Sequence, residues 1–287
     1  MAMKSSPIVG SRAKGLGTTF SVKSLDLHEL GDRASPLVVL DNFRVLGHPF
    51  GPHPHAGFSA VTYVLEDSPG PLRSRDSLGN DIVMGPGGIV WTQAGSGMLH
   101  DELPAVPGRE LHGLQVFVNL SSRSKLLSPR VLQLAGSQMP EWRGDGGDRV
   151  RVVVGSFEGL SSPLVPAEPF DWLVVALKRE VSFETPRSRN ALVYVLSGHV
   201  SVHYGEGSRS VAAEEALALD EEAGAITFRA TQPAHFLILS GMRIDEPAFS
   251  QGSGFLMSSR AELDAAVARF LSGEMGQLAP LPSSVHR

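Results

Sequence analysis

Short apolar runs bounded by glycine or proline recur along most of the chain. Residues 37–42, 59–66, 89–93 and 111–120 are rich in β-branched, aromatic and leucine side chains, with turn residues between them. Runs of this length and composition predict β-strands, and their regular spacing favours a sandwich or a barrel. A weaker alternation over residues 17–25 predicts a first strand. The hydrophobic pattern therefore predicts an all-β fold.

A polar, turn-rich stretch at residues 138–148 interrupts this pattern near the middle of the chain. Strand-like segments then resume, and residues 192–197 share a Tyr-Val-Leu core with residues 61–66. This repetition favours two copies of one β-domain over a single large sheet. We predict an N-terminal domain over residues 1–140 and a C-terminal domain over residues 141–287.

The chain closes on a pattern with a helical period. Ser259 and Glu262 form a capping-box signature, which marks a helix N-terminus, and Gly273 is a natural stop. The apolar residues between them are Leu263, Val267, Phe270 and Leu271. Their spacing predicts an amphipathic C-terminal helix that packs one face on a sheet.

Composition narrows the class of protein. The 287-residue chain is 42% hydrophobic and 19% charged, which is enough to bury a sizeable core. Its net charge of −5 comes without a basic block, and phosphate binding needs clustered Lys and Arg, so we expect no direct nucleic-acid partner. No apolar run approaches the length of a membrane span or a signal peptide, so we expect a cytoplasmic protein with no membrane partner.

The chain contains no cysteine. Disulfides, thiolate nucleophiles, iron–sulfur clusters and thiolate zinc sites are therefore excluded. Any redox chemistry must come from a bound metal or cofactor.

Two pairs of candidate metal ligands stand out, His53 with His55 and His100 with Glu102. Each pair has i, i+2 spacing, which puts both side chains on one face of an extended chain. Lone histidines are usually structural, and the spacing alone does not bring the two pairs together. If the two segments are neighbouring strands, three imidazoles and one carboxylate converge on one point. That donor set suits iron, manganese, nickel, copper or zinc. On a six-coordinate ion it leaves two positions open for water, substrate or dioxygen.

At these residues the chain resembles the pirin family, which belongs to the bicupin branch of the cupin superfamily. The resemblance rests on His-Pro-His-Ala-Gly-Phe at 53–58, Val-Thr-Tyr-Val-Leu-Glu at 61–66, Arg-Asp-Ser-Leu-Gly-Asn at 75–80, Ala-Gly-Ser-Gly at 94–97, His-Asp-Glu at 100–102 and Leu-His-Gly-Leu-Gln-Val-Phe-Val-Asn-Leu at 111–120. It implies two cupin domains, which are jelly-roll β-barrels, in tandem with a C-terminal α-helix.

The resemblance also implies one divalent metal ion in the N-terminal cupin, held by His53, His55, His100 and Glu102. In the family this ion is usually Fe²⁺, and Mn, Ni, Cu, Zn and Co stay open. The family usually has Arg where Ala56 stands, and often an acidic residue where Ser59 stands, so pocket charge and substrate preference are expected to differ.

The C-terminal half has no His-X-His pair, and His199, His203 and His235 are isolated in the sequence. We therefore expect the C-terminal cupin to be metal-free and structural.

For function, the resemblance implies a metal-dependent dioxygenase of the quercetin 2,3-dioxygenase type, which opens a flavonol ring with O2. Glu102 is the expected general base, and Trp91, Gln115 and Phe117 are the expected pocket residues. Ordinary core packing is the alternative for Trp91 and Phe117. A second hypothesis is a redox-sensing regulator that binds a transcription factor or a metabolic enzyme without turnover. A third is a vestigial site, or one that binds a small acid without chemistry.

Overall fold

The computed structural model describes residues 3–15, 19–220, 222 and 224–281. The first strands within these residues are β1 (Val9–Gly10), β2 (Arg12–Gly15), β3 (Phe20–Ser24), β4 (Leu37–Val45), β5 (His53–His55), β6 (Phe58–Val64), β7 (Leu72–Asp76), β8 (Asp81–Met84), β9 (Ile89–Gln93), β10 (Met98–Pro104), β11 (Leu111–Asn119), β12 (Arg130–Leu134) and β13 (Glu141–Arg143).

The remaining strands are β14 (Arg149–Val154), β15 (Ser156–Phe157), β16 (Leu160–Ser161), β17 (Phe170–Leu177), β18 (Glu180–Thr185), β19 (Arg189–Ser197), β20 (His199–Tyr204), β21 (Gly207–Ala212), β22 (Glu215–Leu219), β23 (Gly224–Arg229), β24 (Ala234–Met242), β25 (Phe249–Gln251) and β26 (Phe255–Met257). Short 3₁₀ segments cover Leu27–Ala34 and Gly136–Gln138, and one α-helix, α1, covers Arg260–Leu271. The all-β prediction with a C-terminal helix is confirmed. The predicted first strand is present as β3 from Phe20, and Gly17 and Thr18 lie outside the described residues.

The chain forms two compact units. The N-terminal unit consists of Ala13–Lys23, Val39–Ser137 and Ile244–Arg287, and the C-terminal unit consists of Met1–Arg12, Ser24–Val38 and Gln138–Arg243. These units differ from contiguous domains of residues 1–140 and 141–287, because pairing between distant strands overrides chain order. In the C-terminal unit β1 pairs with β22, and in the N-terminal unit α1 packs beside the strand that carries the first histidines.

The N-terminal unit contains a seven-stranded sheet in the order β12-β9-β6-β11-β4-β3-β2 and a four-stranded sheet in the order β5-β10-β7-β8. In β6 all seven residues are buried, which fits the continuous apolar run seen in the sequence. Thr62 in β6 lies opposite Gln115 in β11, so the inner face of the seven-stranded sheet carries a polar pair.

The C-terminal unit also contains a seven-stranded sheet, in the order β1-β22-β19-β24-β17-β14-β13, and a four-stranded sheet in the order β18-β23-β20-β21. Buried and exposed residues alternate along β18, with Val181 and Phe183 facing inward. These side chains belong to a continuous apolar cluster that includes Ile226, Phe228 and Ile238.

The helix α1 begins at the predicted cap, where the Ser259 hydroxyl accepts a hydrogen bond from the Glu262 backbone N–H. Leu263 and Ala266 are buried in a cluster that includes Ala56, Leu99 and Met257. Leu271, predicted on the apolar face, is 77% exposed because it lies at the last residue of the helix. No helix in the described part of the chain has the length and hydropathy needed to cross a membrane.

Candidate metal centre

The two predicted ligand pairs lie on neighbouring antiparallel strands. In the pairing of β5 with β10, His53 lies opposite His100 and His55 lies opposite Met98. The i, i+2 spacing therefore places His53, His55, His100 and Glu102 on one face of the four-stranded sheet. β5 is the edge strand of that sheet, where Pro54 is tolerated because an edge strand does not need every backbone N–H.

The turn after β5 depends on a glycine. Gly57 has φ +86°, and a Cβ at this position would lie 1.9 Å from the Leu256 carbonyl oxygen. The buried Lys125 ammonium donates hydrogen bonds to the carbonyl oxygens of Gly57 and Leu256, each at 2.8 Å. A close backbone approach and one buried cation therefore fix the segment that follows His55.

The three imidazoles converge on one point. Each of His53, His55 and His100 offers a ring nitrogen, and these nitrogens lie within 4.8 Å of one another. The Nε2 atoms of His53 and His100 are 3.1 Å apart. His53 Nδ1 lies 2.9 Å from the Gly51 carbonyl oxygen, which only accepts, so Nδ1 carries the proton and Nε2 is free to bind a metal.

Burial keeps two of these histidines neutral. His55 is 2% exposed and His100 is 3% exposed. Burial, together with the nearby charge of His53, lowers the pKa of His55 to about 3. Burial, and then the charges of His55 and His53, lower the pKa of His100 well below its ordinary value. Neutral imidazole is the form that binds metals.

The histidines fit a metal on independent structural grounds. Both ring nitrogens of His55 and Nδ1 of His100 are buried without a hydrogen-bond partner among the described residues. Buried polar atoms of this kind are costly unless something satisfies them. A borderline divalent metal, which prefers imidazole nitrogen, would satisfy one of the two His55 nitrogens.

Glu102 differs from the histidines in its surroundings. Its Oε2 accepts a hydrogen bond from the Thr62 hydroxyl at 2.6 Å, and the histidine group does not include it. Burial raises the pKa of Glu102 to about 7, although hydrogen bonds from Thr62 and Ser74 oppose that rise. A carboxyl with this pKa can exchange a proton near neutral pH.

A cavity of about 660 Å³ opens onto the histidines. Its apolar lining comes from β3, β4, β7, β11 and the loop before β5, and it comprises Phe20, Val22, Val39, Phe43, Val45, Pro49, Phe50, Pro52, Leu72, Leu111 and Phe117. The polar lining comprises Asp41, His53, His55, His100, Glu102, Gln115 and Ser253. A mostly apolar cavity of this volume with a few convergent polar groups is typical of small-molecule sites.

The predicted pocket residues fall in two places. Gln115 and Phe117 line the cavity, and Phe117 also lies 5.3 Å from the His55 ring, measured between centroids. Trp91, in β9, is 1% exposed and does not line the cavity. Its position favours the alternative interpretation, ordinary core packing. Thr62 and the cavity wall contributed by β3 and β4 were not among the predicted site residues. The i, i+2 spacing of Val39, Asp41, Phe43 and Val45, which puts their side chains on one face of β4, was a signal for that wall.

Comparison with known families gives two matches. A family model described as Pirin matches residues 12–118, and one described as Pirin C-terminal cupin domain matches residues 172–276. A Vibrio cholerae protein named "Putative quercetin 2,3-dioxygenase" is 32% identical over 252 residues, which are 83% of this chain and 86% of that protein.

Solved structures give the same picture. A quercetin 2,3-dioxygenase structure from Acinetobacter baumannii superposes with a TM-score of 0.84 at 25% identity, covering 97% of this chain and all of that one. A bacterial pirin from Escherichia coli, YhhW in complex with nickel(II), superposes with a TM-score of 0.65 at 20% identity, covering 84% and 99%. The second likeness shows the fold alone.

Proposed function

Because the chain belongs to the pirin family, we propose that it is a metal-dependent dioxygenase of the quercetinase type. It opens the central ring of a flavonol-like substrate with O2 and releases carbon monoxide. One observation carries the proposal, namely that a mostly apolar cavity opens onto three converging histidines, two of which have buried ring nitrogens without a hydrogen-bond partner among the described residues. The names of the Vibrio cholerae and Acinetobacter baumannii relatives support the substrate class.

The cavity walls bind the substrate. Phe43, Phe50 and Phe117 present aromatic surface to the cavity, and aliphatic residues fill the space between them. A flat aromatic ring system buries its faces against these walls and displaces water. Its oxygen-bearing edge then points to the histidines, which would hold the metal that binds these oxygens.

His53, His55 and His100 would hold the metal. Glu102, on the same face of β10 as His100, would be a fourth protein ligand, bound weakly enough that its carboxylate stays basic. We propose Fe²⁺, the usual ion of the family. When bound, the metal supplies Lewis-acid polarisation of the substrate oxygens and a site for O2. The Gly51 carbonyl holds His53 in the tautomer that this role requires.

Glu102 accepts the proton of the flavonol hydroxyl. Its carboxylate lines the cavity beside the histidines, and the Thr62 hydroxyl holds one of its oxygens. Removing the hydroxyl proton makes the ring electron-rich, which prepares it for reaction with O2. Glu102 therefore acts as a general base while the walls orient the ring.

The experiment is oxygen uptake by iron-reconstituted protein supplied with quercetin. We expect uptake of one O2 for each quercetin consumed, with release of carbon monoxide. Glu102→Gln, which keeps the shape of the side chain but not its basicity, should lose about 100-fold or more in rate while retaining bound iron. His55→Ala should lose both iron and uptake, and His199→Ala in the C-terminal unit is the matched control that should lose neither.

Metal analysis of every variant separates the outcomes. Unchanged uptake in Glu102→Gln would remove Glu102 as the base. No uptake by wild-type protein with iron bound would contradict the proposed function. That result would favour the redox-sensing regulator, which predicts a redox-dependent protein complex without turnover.

A further inference from the structure

A buried carboxylate lies between the two ligands of β10. Asp101 stands between His100 and Glu102, and the alternation of the strand points it to the opposite face. It is 0% exposed, and its oxygens lie 2.5 Å from His48 Nε2 and 3.4 Å from Arg75 Nη1. Because the carboxylate only accepts, His48 donates this hydrogen bond from Nε2.

His48 belongs to the loop at residues 46–52, which joins β4 to β5 and which we call the mouth loop. Pro49, Phe50, Gly51 and Pro52 of this loop line the cavity. Phe50 packs edge-on against Phe20 with ring centroids 5.1 Å apart. The loop therefore forms part of the cavity wall, and its Gly51 carbonyl oxygen contacts His53.

The mouth loop has little burial of its own. Residues 49–52 are all exposed, and Phe50 keeps 44% of its surface accessible. Apart from the Phe50 ring contact and a hydrogen bond from the Leu46 backbone N–H to the Thr19 carbonyl oxygen, the loop is held by the bond from His48 to Asp101 and the bond from His53 to the Gly51 carbonyl oxygen. His48 therefore fastens the loop to β10, and Gly51 fastens it to β5. Segments with few buried contacts open most readily, so these two hydrogen bonds control whether the loop opens.

Asp101 makes the first of these attachments strong. A fully buried carboxylate is costly without partners, so breaking its bond to His48 is penalised beyond the loss of one exposed hydrogen bond. Arg75 stays beside Asp101 and also donates to the Ala279 carbonyl oxygen. The carboxylate therefore keeps one cationic partner when His48 leaves, which lets the loop open without unfolding β10.

We propose that His48 and Asp101 form a latch that closes the mouth loop over the cavity, so that ligand entry and exit require this bond to break. Both are positioning residues, since neither lines the cavity. The inference rests on the proposed function only in treating this cavity as the substrate site, and it does not depend on the reaction.

The test compares His48→Leu with His48→Gln by hydrogen-exchange mass spectrometry, with and without metal. Leucine removes the donor, whereas the glutamine Nε2 can still donate to Asp101. We expect exchange in the peptide covering residues 46–53 to become about tenfold faster in His48→Leu and to stay near wild type in His48→Gln. A peptide from β19 in the C-terminal unit should be unchanged in both, which shows that the fold is intact. Unchanged exchange at residues 46–53 in His48→Leu, or an equal increase in both variants, would overturn the latch.

A second readout distinguishes a gate from a damaged site. Stopped-flow binding of quercetin without O2 should show association and dissociation rates that both rise about tenfold in His48→Leu, with their ratio nearly constant. A weaker equilibrium affinity with an unchanged association rate would overturn the gating role. If quercetin fails to bind the wild-type protein, the proposed function fails, and the exchange measurement alone decides whether the latch exists.

Discussion

The two four-stranded sheets have the same order when their strands are matched along the chain, β5 with β18, β10 with β23, β7 with β20 and β8 with β21. Their inner faces differ at the first pair of neighbouring strands, β5 with β10 in one sheet and β18 with β23 in the other. In β5 and β10, His53 lies opposite His100, whereas in β18 and β23 Val181 lies opposite Phe228 and Phe183 lies opposite Ile226. One pair of strands presents imidazole nitrogens in an arrangement that could hold a metal, and its counterpart presents apolar side chains.

The seven-stranded sheets repeat the contrast. Thr62 lies opposite Gln115 in the N-terminal unit, and at the matching register Val193 lies opposite Ile238 in the C-terminal unit. Tyr63 and Tyr194, one residue further on, are both completely buried. The strand framework thus accepts either a polar inner face around a cavity or a continuous apolar core. The difference teaches that the chemistry depends on a few inward positions, while the strand order is common to both units.

The largest expected effect comes from breaking the packed interior. Phe228→Ala removes a ring that is 0% exposed, and the surrounding apolar cluster cannot fill the void, so it should cost the C-terminal unit about 3–5 kcal/mol. Phe117→Ala, which removes a ring from the cavity wall of the N-terminal unit, should cost about 1 kcal/mol because the side chain already faces open space. Urea denaturation, read by hydrogen exchange in β6 and β19, measures both. Equal costs would mean that the two interiors are packed alike.

A smaller loss of stability, this time in the N-terminal unit, is expected at low pH. In metal-free protein the pKa of His55 is about 3, against about 6.5 in the unfolded chain, so the unfolded state binds more protons between these values. Stability of the N-terminal unit is therefore fully present above pH 6.5 and falls as pH drops toward 3. At about 1.4 kcal/mol per pH unit, the loss from His55 reaches about 3 kcal/mol by pH 4.

The measurement is urea denaturation of chelator-treated protein between pH 7 and pH 4, followed separately in β6 and β19. His55→Leu should flatten the pH dependence in β6, because its side chain takes up no proton in either state. The C-terminal unit, followed through β19, serves as the internal reference in the same samples. A slope of the same size in wild type and His55→Leu would show that other groups control acid stability.

Local patterns predicted those features of the site that depend on local geometry. The i, i+2 spacing of His53 with His55 and of His100 with Glu102 is a property of any extended strand, and the facing of the two pairs needed only that the strands be neighbours. The capping residues of α1 act within one helical turn, so they too could be read directly.

Features that depend on distant pairing could not be read in this way. The segment Ile244–Arg287 groups with the N-terminal unit because Leu263 and Ala266 pack in one cluster with Ala56, more than 200 residues earlier in the chain. The hydrogen bond from Thr62 to Glu102 depends on the side-chain conformation of a cavity residue. The cavity wall from Phe20 and Phe43 depends on the place of β3 and β4 in the sheet.

The smallest expected effect makes one inner position of the N-terminal unit resemble its counterpart. Thr62→Val copies Val193 and removes the hydroxyl that donates to Glu102 at 2.6 Å. A hydrogen bond to the ionised carboxylate favours the charged form, so its loss should raise the pKa of Glu102 further above about 7. The acid limb of the pH profile of oxygen uptake should then move up by about one pH unit, and uptake at pH 6 should fall about tenfold.

Thr62→Ser is the matched control, because it keeps the hydroxyl and loses only a methyl group. It should leave the acid limb in place. Infrared titration of the metal-free proteins should give the highest Glu102 pKa in Thr62→Val and nearly equal pKa values in wild type and Thr62→Ser. A shift in both variants would trace the effect to packing around the methyl group. An acid limb that stays in place in Thr62→Val would mean that the hydroxyl does not act through Glu102. The polar pair Thr62 and Gln115 would then serve only to keep this interior open where Val193 and Ile238 close the other.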